Sequence, residues 1–548
     1  MKMIHNTIIL ILITFISSIS QESKESDSTP IIAGKNIAVA QTTSGKVRGY
    51  IHNGIYIYKG IPYAEANRFE PPRKATPWEG IRSSMAWGPT CPNMTPPTVR
   101  SDEVEFIFQH DWGYFGEDCL RLNIWTPEIN DNKKRPVMVW IHGGGYTFGS
   151  SQELPSYDGE NISKKGDIVY VSVNHRLNVL GFTDLSSFGE KYKLSVNVGM
   201  IDLVAALEWI RDNIANFGGD PGNVTIFGQS GGGGKVSTLM SAPSAKGLFH
   251  RAVVQSGANP RFQKQEVTKR IGEALVADLG LIATEIDSIQ KIPYETLVAS
   301  YQSALKKVRE ELTEEGNPPA GYGFGLSPTE DGEFLPYDFK DPRALAISKD
   351  VPLMIGSTKN EFIASLWGNP PLKYAPSDSI MRFIKKRYKD KADAYIAAVK
   401  KAFPEDTDPT DLIDVDLMFR RGTVKHANLK SANTRVPVFM YMFTWQSPVF
   451  DGSYKAIHCM ELPFVFNNIH LCEEMTGGGK EAYALADKVS LAWINFARYG
   501  DPNHDGLPKW EPYTEDNGNT MFFDNTCIIR HNHDKELLEL TEDGSTLW

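Results

Sequence analysis

The chain predicts an α/β protein, a large and mostly parallel sheet covered by helices on both faces. Three observations carry this. Short apolar runs without polar alternation recur along the chain, as expected of strands shielded from water on both sides. Stretches with apolar residues at helical spacing separate them. Glycine clusters then stand within a few residues of the ends of two of these runs, at residues 143–145 and 231–234.

The elements follow in chain order. Lys2 and His5 precede an apolar run over residues 8–16, and Ser18-Ile19-Ser20 supplies small residues for cleavage. Residues 1–20 therefore read as an export signal, too short to span a bilayer as a lone helix. Residues 21–30 are polar and expected to be disordered. Residues 31–548 read as one domain, because α/β enzymes often run well past the usual domain length. Strands are expected at 137–141 (Val-Met-Val-Trp-Ile), 168–173, 224–227, 351–355 and 436–441, the last two with a proline near the start. Leu203, Leu207, Ile210 and Ile214 mark a helix before the third strand, stopped by Gly218-Gly219, with a turn at Asp220-Pro221-Gly222. Residues 263–315 and 377–430 read as helical insertions that cap the sheet and shape a substrate entrance, or as plain surface helices.

Composition excludes some partners. The net charge of −10 and the interspersed signs leave no basic patch for a nucleic-acid backbone. No later stretch is apolar enough to cross a membrane, so the mature chain is expected in the periplasm or outside the cell. No metal-ligand spacing such as H-E-x-x-H occurs, and no cofactor is expected. The five cysteines are Cys91, Cys119, Cys459, Cys472 and Cys527. Export permits disulfides, and the odd count leaves one thiol over. Cys91 with Cys119 is the favoured intrachain pair, and Cys459 with Cys472 is a second option. Sequons stand at Asn93, Asn161 and Asn223.

The chemistry-bearing motif is Gly228-Gln229-Ser230-Gly231-Gly232, which fits G-x-S-x-G where an apolar strand meets a helical stretch. A sharp turn there strains the serine backbone and exposes Oγ, and the helix N-terminus points free N–H groups at developing negative charge. Gly231 to Gly234 form a run of four glycines, each costing about 1 kcal/mol relative to alanine in a helix interior. Close approach of substrate or of a neighbouring segment would explain the run; packing that merely tolerates glycine is the alternative. The turn His142-Gly143-Gly144-Gly145-Tyr146 follows the 137–141 strand. It can aim the amides of Gly144 and Gly145, together with that of Gly231, at a substrate oxyanion. Ser230 needs a base, and the order serine, acid, histidine points to Glu361, after the 351–355 strand, and His458 among twelve histidines.

Taken together, these residues resemble the type-B carboxylesterases, the family that also contains the cholinesterases, in the style of its bacterial members. The likeness runs from Val47 to Trp510. It includes Tyr58-Lys59-Gly60-Ile61-Pro62-Tyr63-Ala64, Glu117-Asp118-Cys119-Leu120, the glycine turn, Gly218-Gly219-Asp220-Pro221, Gln255-Ser256-Gly257 and His458-Cys459-Met460-Glu461-Leu462. The resemblance implies an α/β-hydrolase fold and hydrolysis of small-molecule carboxylic esters. It implies a Ser230–His458–Glu361 triad and an oxyanion hole of Gly144, Gly145 and Gly231. It also implies a first disulfide Cys91–Cys119, ion pairs Arg68–Glu117 and Arg176–Asp202, and Ser256 as a hydrogen-bonding neighbour of the triad. The sequence departs from the family at Gln229 (often glutamate), Gly231 (often alanine), and Phe362 and Cys459 (commonly glycine). Trp112 does not match the choline-binding tryptophan, so recognition of choline is unsupported. The same triad could serve an amidase, lactonase or thioesterase, and an adhesion module on this fold would have lost a triad member. Acyl and alcohol preference and oligomeric state are not written in the sequence.

Overall fold

The computed structural model describes residues 30–95, 101–258, 261–319, 323–368 and 371–542. The expected export signal and most of the polar segment behind it lie outside the described residues. The centre is an eleven-stranded sheet. Its strands are β1 (Tyr50–His52), β2 (Ile55–Pro62), β3 (Arg121–Thr126), β4 (Arg135–Ile141), β5 (Val169–Val173), β6 (Gly219–Gln229), β7 (Arg251–Gln255), β8 (Leu353–Thr358), β9 (Val438–Phe443), β10 (Asn519–Phe523) and β11 (Ile528–His531). The spatial order is β11-β10-β9-β8-β7-β6-β4-β5-β3-β2-β1. Every pairing from β5 through β10 is parallel, and the outer pairings are antiparallel. This is the α/β-hydrolase fold anticipated above.

Why β4 lacks polar alternation is visible in its two faces. Val137, Val139 and Ile141 point into one apolar cluster, which holds helix α1 (Val198–Asn213) through Leu203, Leu207 and Ile210. Met138 and Trp140 point into the opposite cluster, which holds Val489, Trp493 and Phe496 of a long C-terminal helix over Lys480–Tyr499. Burial of each large side chain in these layers contributes about 1.5–3 kcal/mol.

Two boundaries differ from expectation. Helix α1 ends at Asn213, and a 3₁₀ turn over Ile214–Phe217 carries the chain to Gly218, whose left-handed φ of 77° closes it. The Asp220-Pro221-Gly222 stretch lies inside β6 instead of standing as a separate turn. The β4–β6 register shifts between Gly219 and Val224, so the extra residues are absorbed as a bulge.

The two insertions also differ from each other. Residues Gln265–Asp278 and Tyr294–Glu314 form helices that bury Ile271, Leu275, Leu297 and Tyr301 in the cluster beside α1. Residues Ser377–Tyr388 and Ala392–Ala402 form helices around a separate apolar cluster with Ile384, Tyr395 and Val399. The second insertion reaches the candidate site, through Asp416 and through Phe419 on the helix Met418–Ala432.

The implied ion pairs form. Arg176 grips Asp202 through Nε (2.8 Å) and Nη2 (2.7 Å), both side chains buried. The Arg68 Nε donates to Glu117 at 2.7 Å. No disulfide joins Cys91 and Cys119 in the structure, where both cysteines are buried with their sulfurs close together. The neighbouring Cys91 sulfur, with burial, pushes the Cys119 thiol far up. Cys459 and Cys472 are likewise free.

Candidate active site

The site is assembled where β4, β6, β8 and β9 end. At the end of β6, Ser230 adopts φ 57° and ψ −126°, a strained conformation for a non-glycine residue. Its N–H donates to the Gln255 carbonyl (2.8 Å), and its carbonyl accepts from Gly234 N–H (3.0 Å), so the strain is locked from both sides. Helix α2 (Gly231–Leu239) starts immediately after it.

Close contact accounts for the four glycines. A Cβ on Gly231 would lie 2.1 Å from the Gly145 carbonyl oxygen. One on Gly232 would lie 2.0 Å from the Ile141 oxygen, one on Gly233 2.9 Å from the Gln255 oxygen, and one on Gly234 2.6 Å from the Tyr146 hydroxyl. The neighbouring segments are the ends of β4 and β7 and the glycine turn. At Gly231 and Gly232, which meet backbone, the glycine is therefore a packing requirement; Gly233 stands at the edge of that limit, and Gly234 meets the tip of a side chain. Close contact also accounts for the departure at Gly231, where an alanine methyl would strike the turn. In that turn Gly144 and Gly145 take φ of 78° and 61°, and a Cβ on Gly143 would stand 3.5 Å from that of Ser230.

The acid and the imidazole come from segments far apart in sequence, and the backbone zips them together. His458 N–H donates to the Glu361 carbonyl (2.8 Å), and Asn360 N–H donates to that of Ala456 (3.2 Å). The Glu361 carboxylate is fully buried, with Oε1 accepting from Thr358 N–H at 2.9 Å and Oε2 against His458 Nδ1. Burial alone would lower the His458 pKa, but the charge and hydrogen bond of Glu361 reverse this and hold it above the ordinary value. Two further carboxyls crowd the pair. Burial first, then repulsion from Glu361, raises Glu461 to about 7 and Asp416 to about 7.

Of the predicted site residues, the structure joins His458 to Glu361 and brings the glycine turn against Ser230 and Gly231. It does not join Ser230 to His458: among the described residues no hydrogen bond links Oγ to the imidazole. The Gln229 amide nitrogen stands beside the ring instead, 3.2 Å from Nε2 and 3.3 Å from Nδ1. Near-equal distances put it over the ring face and not in line with either lone pair. Cys459, with φ 75°, donates its thiol to Gln229 Oε1 (3.3 Å). Two departures from the family, at 229 and 459, thus touch each other. Ser256 departs from its expected role, since its buried Oγ has no hydrogen-bond partner among the described residues.

Three features escaped the sequence reading. Phe362 and Phe419 lie against the His458 ring, with centroids 5.0 and 5.2 Å away, and Trp367 extends this wall at 6.2 Å from Phe362. Phe362 is recoverable from its place beside Glu361; Phe419 has no local signal. Lys235 is the third. It is fully buried behind the glycine turn, and burial pulls its ammonium down to about 7. A lysine five residues past the serine, amid glycines and apolar residues, was the available signal.

A mostly parallel sheet with a strained serine at a strand–helix elbow and a buried histidine–carboxylate pair on the neighbouring loops defines the α/β-hydrolase class. Residues 36–540 match the carboxylesterase family. The chain is 32% identical over 512 residues to the para-nitrobenzyl esterase of Bacillus subtilis, covering 91% of this chain and 97% of that one. It is 34% identical over 495 residues to the phenmedipham hydrolase of Pseudarthrobacter oxydans, covering 87% and 93%. Among solved structures, an esterase from Clostridium hathewayi, described as hydrolysing aliphatic aromatic polyesters, superposes with a TM-score of 0.79 at 38% identity, covering 94% and 99%. The chain belongs to the carboxylesterase family and is a carboxylic ester hydrolase.

Proposed function

We propose that ester hydrolysis runs through an acyl-enzyme on Ser230, with His458 as general base and then acid, and Glu361 orienting the imidazole and stabilising its protonated form. The single observation that carries this is the buried His458–Glu361 pair set beside the strained serine. Ser230 must meet Nε2 when substrate binds. The Gln229 amide over the ring leaves that lone pair unoccupied, and catalytic hydrogen bonds often tighten only in the Michaelis complex. The amides of Gly144, Gly145 and Gly231 hold the tetrahedral oxyanion.

The substrate class follows from the wall beside His458. Phe362, Phe419 and Trp367 offer ring faces within reach of the leaving group, with Phe362 and Trp367 partly open to solvent. Esters carrying an aromatic ring next to the scissile bond suit this wall. The relatives named for p-nitrobenzyl esters and for aliphatic aromatic polyesters support the same reading. The leader-like start of the chain favours action outside the cytoplasm. The test is turnover of matched aryl and alkyl esters by the wild type and by Ser230→Ala. Retention of near-full activity by the alanine variant overturns the scheme; equal kcat/KM for aryl and alkyl esters overturns the substrate class alone.

A further inference from the structure

Lys235 projects from the first turns of α2 against the backbone of the glycine turn. Its Nζ donates to the carbonyls of His142 (3.1 Å) and Gly143 (3.4 Å). The Gly143 carbonyl also lies 3.0 Å from His142 Nδ1. Burial holds His142 neutral, so an Nδ1–H tautomer donates to that oxygen as well. The Lys235 ammonium stands 5.8 Å from the ring centroid of Tyr146, the last residue of the turn. The other titratable groups facing it are Glu153, which opposes the effect of burial, together with His175 and Cys91.

A peptide unit is planar and trans, so its C=O and N–H point in opposite directions. The unit whose oxygen is Gly143 O has Gly144 N–H as its other end. A donor bonded to that oxygen fixes the plane and polarises the amide, most strongly when the amine is protonated, so that the N–H becomes a stronger donor. Lys235 is thus bonded to the back of the same amide whose front is proposed to hold the oxyanion.

We infer that Lys235 is a positioning residue of the oxyanion hole: by donating to the Gly143 carbonyl it orients and polarises the peptide that presents Gly144 N–H to the developing oxyanion. This rests on the assignment of Gly144 as an oxyanion donor. The lysine contributes more in the tetrahedral state than in the ground state, because only there does Gly144 N–H face a full negative charge.

The experiment compares the full-length wild type with Lys235→Met and Lys235→Gln, each normalised to active sites titrated by a fluorophosphonate so that misfolded protein drops out. Readouts are kcat, KM and the inhibition constant of an aryl trifluoromethyl ketone, which forms a tetrahedral oxyanion adduct. Loss of a whole oxyanion donor costs about 100- to 1000-fold in kcat, so loss of its polarising partner in Lys235→Met is expected to cost roughly 10- to 100-fold. KM should stay within about threefold, and ketone affinity should fall by the same factor as kcat. Lys235→Gln keeps a donor without the charge and should fall between wild type and methionine; should the methionine variant not fold, a kcat loss matched by ketone affinity in the glutamine variant alone supports the inference. Wild-type kcat in the titrated variants overturns it, as does a fall in kcat with unchanged ketone affinity. Failure of the underlying mechanism shows separately, as activity retained in Ser230→Ala.

Discussion

The two walls of the site are built on opposite principles. The wall proposed to hold the oxyanion is backbone against backbone: the turn over residues 142–146, Gly231 and Gly232 approach so closely that a single Cβ would come within about 2 Å of a carbonyl oxygen. The general-base wall is side chain against side chain. Glu361, His458, Phe362 and Phe419, joined by Gln229 and Cys459, meet across buried contacts from four separate segments. A backbone wall is fixed by close approach at its contact points, and its one charged support, Lys235, stands behind it. A side-chain wall tolerates substitution sterically and lives on charge. Variants on the two walls should therefore fail in different ways.

The largest effect falls on the side-chain wall. His458→Ala removes the base and is expected to lower kcat by about 10,000-fold or more, with the melting temperature little changed. Steady-state kinetics beside a thermal melt checks it; a comparable loss of both would erase the contrast. Glu361→Gln is expected to cost less, about 100- to 10,000-fold in kcat, and to move the pH profile as well. His458 must be neutral to act as base. Its folded pKa is raised by Glu361, so wild-type kcat/KM should rise with pH through a midpoint above the ordinary histidine value of 6.5. Loss of the carboxylate charge should bring that midpoint down. A pH–rate profile of both proteins decides, and an unmoved midpoint would remove Glu361 from electrostatic control.

On the backbone wall, Gly233→Ala is the informative change because its clash is moderate, 2.9 Å to the Gln255 oxygen. Helix propensity alone would stabilise the alanine protein by about 1 kcal/mol. The close approach predicts destabilisation by about 1–3 kcal/mol instead, measured by chemical denaturation. The smallest expected effect is one of selectivity. Phe419→Ala should raise KM for aryl esters by about three- to tenfold while leaving short alkyl esters within twofold, because one aromatic contact contributes roughly 0.5–1.5 kcal/mol beyond its area.

The same contrast explains what was legible from residues alone. A backbone wall must be written as glycine at fixed spacing, and so Gly144, Gly145, Ser230 and Gly231 stand out where strands end. The parallel sheet was legible for a similar reason: double burial forces unbroken apolar runs, and β4, β5, β6, β8 and β9 lie within a few residues of where those runs fall, whereas β7 was not among the expected strands. The side-chain wall has no such constraint. Glu361 and His458 were reachable through chain order and family likeness. Phe419 sits at the start of the helix Met418–Ala432, and nothing in its neighbourhood marks it. Nor does likeness of residues set the oxidation state of Cys91 and Cys119, which carry no disulfide in the structure. Lys235 was visible as a charge in an apolar run, but its meaning depended on knowing which carbonyls lay behind it.

In the proposed mechanism Ser230 is the nucleophile driven by His458, although no hydrogen bond joins the two side chains among the described residues. The most direct measurement is mass-spectrometric mapping of a fluorophosphonate adduct on wild type and on His458→Ala. A single adduct on Ser230, forming at least about a hundredfold more slowly in the histidine variant, is the predicted result. An adduct on any other residue, or an undiminished labelling rate without the imidazole, would contradict it.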